Sequence, residues 1–161
     1  SSDLGQDNVR RYLPFRVVHV RLAASDTLFD IVARIAAARV TGARVVVSHP
    51  PQTNVELLRQ LEELTSAWAG SIEFVEETDA QLVQGINEGQ VERIRTAGPG
   101  RVSADVLSAA AKQYVHVASD PVLAMGRIEL LWYLREQSVS YDYHRYGNLG
   151  TRAGEKRREP A

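Results

Sequence analysis

Histidine is the first residue type to weigh, because its ring titrates near neutral pH and ligates metals. His19, His49, His116 and His144 stand far apart, with no i, i+4 pair and no carboxylate spaced to orient a ring or share an ion. That pattern reads as four structural histidines and no metal centre. Ser48-His49 adjoins Pro50 and Pro51 at a strand end, where sites of open α/β sheets collect, yet no acid is placed in sequence to complete a relay. The sequence contains no cysteine, which removes thiolate nucleophiles, thiolate–zinc clusters and disulfides together. A dinucleotide site would want GxGxxG between the first strand and helix, since only glycine lets the backbone approach a pyrophosphate. The turn here is Ala23-Ala24-Ser25-Asp26, and Asp26 fills the phosphate position and reads as a helix N-cap. Gly98-Pro99-Gly100 could offer amides to an anion, but reads as a plain turn. The residues therefore nominate no catalytic, cofactor-binding or metal-binding group.

One segment does carry recognition chemistry. Tyr141, Tyr143, His144, Arg145 and Tyr146 concentrate aromatic and basic side chains, the types enriched at protein contacts, on a stretch too polar for a core. They are expected to form an interface.

The elements that would position these residues alternate regularly. Arg16 to Leu22 (RVVHVRL) places Val18, Val20 and Leu22 on one face of a strand, and from Asp26 the residues Leu28, Ile31, Val32 and Ile35 recur at helical spacing up to Gly42. Arg44 to Ser48 is a short apolar run suited to a strand buried on both faces. Thr53 with Glu56 predicts a capping box ahead of the stripe Leu57, Leu61, Leu64 and Trp68. Ser71 to Glu77 reads as a third strand, and Thr78 with Gln81 repeats the box before Leu82, Val83 and Ile86. Val91 to Thr96, a helix from Ser103 to Tyr114 carrying Val106, Leu107 and Ala110, and a strand over Val115 to Ala118 complete the series. Arg127 to Gln137 reads as a further helix with Ile128, Leu131 and Leu134 inward, and Ser138 to Tyr146 alternates as an extended arm. Strands alternating with helices through short connections predict a Rossmann-like, mostly parallel five-stranded α/β sheet with helices on both faces, plus a C-terminal extended arm.

Composition limits the partners. The formal net charge of the 161 residues is −1 and 24% are charged, so a nucleic-acid-binding surface is not expected, and the basic run Arg152 to Arg158 reads as a solvated tail. No apolar stretch reaches the roughly 18 residues needed for a membrane span, and Ser1 to Asn8 has no basic or apolar leader. The cytoplasm is the expected compartment. The sequence starts at Ser1 and its single methionine is Met125, which reads as a piece of a longer polypeptide.

Three stretches, Asp7 to Pro14 (DNVRRYLP), Leu28 to Ser48 and above all Arg135 to Gly150 (REQSVSYDYHRYGNLG), resemble the C-terminal end of the proline utilization A family. That family couples FAD-dependent proline dehydrogenase to NAD-dependent L-glutamate-γ-semialdehyde dehydrogenase, also called Δ1-pyrroline-5-carboxylate dehydrogenase. The resemblance covers essentially the whole chain and implies a non-catalytic domain folded like the nucleotide-binding half of an aldehyde dehydrogenase. Its arm would be a flap that covers the dehydrogenase site, closes the channel between the two sites or assembles an oligomer. Aldehyde oxidation needs a cysteine thiolate, which this chain lacks, and where aldehyde dehydrogenases hold the adenosine ribose with a lysine in a motif similar to VVLKPSEQT, Ser48 stands in Val46 to Thr53. The resemblance thus implies no cofactor in this chain, NAD and FAD in the parent protein, and the catalytic dehydrogenase module of the same polypeptide as partner.

The resulting expectation is a linker over residues 1–15, a Rossmann-like domain over 16–137, a flap over 138–150 and a tail over 151–161. Two rivals remain. A degenerate NAD-binding module would use Gly98-Pro99-Gly100 as an anion cradle, and a receiver-like signalling domain would need clustered acids after the first strand, where only Asp26 stands.

Overall fold

A computed structural model describes the backbone of residues 6–142 and the side chains of residues 8–140. In chain order the elements are β1 (Gln6–Pro14), β2 (Val17–Arg21), α1 (Leu28–Val40), β3 (Arg44–His49), α2 (Val55–Leu64), β4 (Ile72–Glu76), α3 (Asp79–Asn87), β5 (Arg93–Arg95), α4 (Ala104–Lys112), β6 (His116–Ala118), α5 (Gly126–Glu129) and β7 (Leu134–Asp142). Short 3₁₀ helices occupy Ser66–Ser71 and Leu130–Tyr133. The chain divides into two compact units, one being Leu13–Arg135 and the other joining the flanking segments.

In the first unit five parallel strands lie in the order β4-β3-β2-β5-β6. This is the expected α/β sheet. β2 pairs with β3 from Val17 opposite Arg44 to Arg21 opposite Ser48, and with β5 at His19–Ile94 and Val20–Arg95. The strand order reverses between β2 and β5, so the crevice of a doubly wound sheet belongs beyond Arg21 and Arg95, at their carboxyl ends. α1 and α2 cover one face, where Val18, Val20, Ile31, Ile35, Val45 and Leu61 are wholly buried. α3 and α4 cover the other, around Leu82, Ile86, Ile94 and Val106. Burial on that scale stabilises by roughly 1.5–3 kcal/mol for each large apolar side chain.

Local chemistry explains the helix starts. Thr78 and Gln81 form the expected capping box at α3, and Ser103 caps α4. Two caps fall one residue later than the sequence predicts. Thr27, not Asp26, caps α1 through a box with Asp30, because Asp26 is drawn inward by arginines. At α2 the cap is Asn54, whose Oδ1 accepts from the N–H groups of Glu56 and Leu57, while Thr53 donates its hydroxyl to Pro50 O at 2.7 Å.

The helix expected over Arg127 to Gln137 is corrected by the structure. One short turn of α-helix and one 3₁₀ turn lead directly into β7 at Leu134, and the inward residues are Glu129 and Tyr133. Ile128 and Leu131 are exposed. The apolar spacing misled because this segment faces the sheet through a buried carboxylate and a phenol.

In the second unit β7 pairs with β1, a strand lying within the stretch expected as a linker. Ser140 donates to Asn8 at 2.6 Å, and Arg11 donates to Gln137 at 2.5 Å. One index rises by three as the other falls by three, so the ribbon is antiparallel.

α1 ends at Thr41 with Gly42 in the left-handed region at φ +88°, where glycine carries no steric penalty. The equivalent position after α4 is Tyr114, a residue at φ +56° and 97% exposed. Left-handed strain costs about 1–2 kcal/mol for a residue with Cβ, against about 0.4–1 kcal/mol of added unfolded-chain entropy for glycine. Tyr114→Gly is therefore expected to stabilise the fold by about 0.5–1 kcal/mol. Urea unfolding of the two proteins measures it, and an unchanged or lowered midpoint contradicts the strain argument.

Candidate functional site

The crevice beyond β2 and β5 is the place where a sheet of this topology receives a ligand, and here the chain's own charges occupy it. Ile31, Arg34, Ile35 and Ala38 form the buried stripe of α1, so the geometry that buries the isoleucines also sends a guanidinium into the core. Arg34 Nη1 donates to Arg21 O at 3.0 Å and to Arg95 O at 3.3 Å, the terminal carbonyls of the two strands. Its Nε donates to Asp30 O at 2.9 Å, and its Nη2 meets Asp26 Oδ2 at 2.6 Å. Both side chains of that ion pair have 0% exposure. Desolvation lowers the Arg34 pKa, and the Asp26 carboxylate opposes the shift.

Asp26 acts as an internal anion. Its Oδ2 also accepts from Ala23 N–H at 3.1 Å, a turn amide of the kind that would face a pyrophosphate in a dinucleotide site. Arg101, from the loop after β5, closes the cluster by bonding Asp26 Oδ1 at 3.1 Å and Ser25 Oγ. Gly98-Pro99-Gly100 serves as the turn that delivers this arginine, with Thr96 Oγ1 donating to Gly98 O at 3.1 Å and Gly100 at φ +71°.

Two further buried arginines line the same carboxyl edge. Arg21 Nη1 donates to Ser48 Oγ at 2.9 Å and to Glu77 O at 3.0 Å, while Nη2 meets Asp79 Oδ1 at 2.8 Å. Ser48, at the position discussed above for a ribose-binding lysine, is thus wholly buried beneath Arg21. Arg95 grips Glu129 Oε1 through Nε at 3.1 Å and Nη2 at 2.8 Å, and Glu129 also accepts from Tyr133 Oη and Leu123 N–H. Burial, and then the adjacent Glu129 charge, raises the Tyr133 pKa.

The three histidines among the described residues lie apart from one another. His19 lies mid-strand in β2 with Nδ1 buried and unpartnered, and desolvation lowers its pKa to about 4. His49 is buried at the end of β3, and His116 stacks on Trp132 with ring centroids 6.2 Å apart. Among the described residues no cluster of histidines and acids could hold a metal ion. Of the expected interface residues, Tyr141 falls in β7, where its backbone alone is described; Tyr143, His144, Arg145 and Tyr146 lie outside the described residues. Arg34 was the group that periodicity could have flagged, since an arginine at i+3 in an otherwise apolar stripe signals a buried partner.

Removing one member of a buried ion pair costs about 3–5 kcal/mol because the other charge is left uncompensated. Asp26→Ala is expected to destabilise by that amount, and added phosphate is expected to recover part of the loss relative to chloride of equal ionic strength. Denaturant unfolding in the two salts reports this; an Asp26→Ala protein as stable as wild type would contradict it. His19 gives a pH signature. The folded state holds its ring neutral down to about pH 4, whereas the unfolded chain takes up a proton near pH 6.5, so acid favours unfolding. Stability is complete above pH 6.5 and falls by about 3 kcal/mol on reaching pH 4. His19→Leu should flatten that part of the stability–pH curve, and an unaltered slope would contradict the assignment.

No family model and no curated protein matches this sequence. Among solved structures, lactaldehyde dehydrogenase from Escherichia coli is similar with a TM-score of 0.57 at 16% identity, over 73% of this chain and 25% of its own. PnpE in complex with nicotinamide adenine dinucleotide gives 0.54 at 17% identity over the same shares. Proline utilization A from Corynebacterium freiburgense is 26% identical over 88% of this chain and 11% of its own, with a TM-score of 0.45. The chain spans between about a tenth and a quarter of the length of these proteins. No helix among the described residues is long and apolar enough to cross a membrane. The fold is similar to that of one part of lactaldehyde dehydrogenase.

Proposed function

We propose that this chain is the non-catalytic C-terminal domain of a bifunctional proline-catabolic oxidoreductase that converts proline to glutamate through Δ1-pyrroline-5-carboxylate and glutamate semialdehyde. In this reading the sheet is a scaffold. Residues 138–150 form a flap that docks on the catalytic dehydrogenase module of the same polypeptide, or on a neighbouring subunit, covering the aldehyde site and helping seal the channel or assemble the oligomer. NAD and FAD belong to the catalytic modules.

The observation that carries the scaffold reading is the Asp26–Arg34 pair seated across the ends of β2 and β5. A dinucleotide would have to displace a carboxylate that already satisfies a turn amide and two guanidiniums. The missing thiol supports the same reading, because a thiohemiacetal cannot form without one. The assignment to proline catabolism draws on the run from Arg135 to Gly150.

Calorimetry tests the scaffold: NAD titrated into the 161-residue chain is expected to give no saturable heat, and a Kd tighter than about 1 mM would overturn it. The flap is tested in the full-length parent enzyme by excising residues 138–150. Each half-reaction should still run while an aldehyde-trapping reagent captures more intermediate; equal capture from truncated and intact enzyme would refute the sealing role.

A further inference from the structure

We infer that Arg93 and Arg135, braced on the ring of Phe15, form a docking point for the carboxylates of an acidic polypeptide segment. The inference goes beyond the proposed role, since it rests on the unit Leu13–Arg135 alone and its test needs no parent enzyme.

The three buried arginines of the opposite sheet edge, Arg21, Arg34 and Arg95, are each matched to a carboxylate. The amino edge departs from that rule. The guanidinium of Arg93 lies 4.5 Å from the Phe15 ring centroid and that of Arg135 lies 5.4 Å from it. The two cations therefore stand within about 10 Å of each other, roughly one Debye length at 0.1 M salt. Neither has a salt-bridge partner among the described residues. The neighbouring acid, Glu92, is committed to Arg16, accepting from its backbone N–H at 3.0 Å and from Nε at 2.6 Å. Arg93 donates instead to Nδ1 of His116, a neutral acceptor, and its own Nε is buried without a partner. Desolvation lowers its pKa, and no carboxylate opposes the shift as Asp26 does at Arg34.

Stacking on an aromatic ring fixes a guanidinium plane and removes much of the entropy that a free arginine loses on binding. Two guanidiniums held against one ring present donors suited to carboxylates. Arg135 is exposed, which suits a protein contact better than an enclosed small-molecule site.

The probe is a hexaglutamate peptide titrated into the ¹⁵N-labelled 161-residue chain. Trp132, stacked on His116, is one of two tryptophans, so its indole N–H reports on this cluster and Trp68 is the internal control. A saturable shift of Trp132 alone is expected, weakening as sodium chloride is added. Arg135→Glu, at an exposed position where folding is not at stake, should weaken binding at least about tenfold. Arg59→Glu on α2 should leave it unchanged. An unmoved Trp132, an equal loss from Arg59→Glu, or equal affinity for sodium acetate would each overturn the inference.

Discussion

The structure of the larger unit depends on placing one guanidinium, that of Arg34, where the sheet reverses its strand order. Desolvating a charge costs several kcal/mol even after local relaxation, so such a residue persists only if its donors are filled. Arg34 fills them with two strand-terminal carbonyls, a carbonyl of its own helix and the carboxylate of Asp26. One side chain thereby fixes α1 to β2 and β5 at once. Its partner Asp26 also accepts from the Ala23 amide, a group of the kind that faces an anionic ligand in dinucleotide sites of this topology. The Asp26–Arg34 pair thus joins the helix, two strands and the turn between them.

The same logic recurs along the carboxyl edge. Arg21 ties β2 to the chain following β4, and Arg95 ties β5 to α5 and the turn before β7. Apolar packing joins helices to faces, but it is indifferent to sliding along the strands. Directional hydrogen bonds to charged groups set the register of loops that the two apolar clusters do not reach.

Much of this architecture was legible in the sequence. The alternation in RVVHVRL, the continuous run RVVVS and the hydroxyl caps at Thr78 and Ser103 each reflect a local rule, and the elements formed where those rules indicate. Failures arose where a distant partner decides the outcome. Asp26 looks like a cap until Arg34 and Arg101 claim it, Glu129 looks like a surface residue until Arg95 arrives from 34 positions away, and β1 has no local reason to be a strand. Arg93 was equally silent, because a cation resting on Phe15 leaves no trace in hydrophobic periodicity.

The pairing of β1 with β7 joins residues 126 positions apart, which gives that ribbon an order of events. A ribosome releases β1 long before its partner exists, and closing so large a loop has to wait for translation of everything between. During that interval the nascent β1 carries unsatisfied backbone donors and acceptors along both sides, an open template for any extended segment it meets.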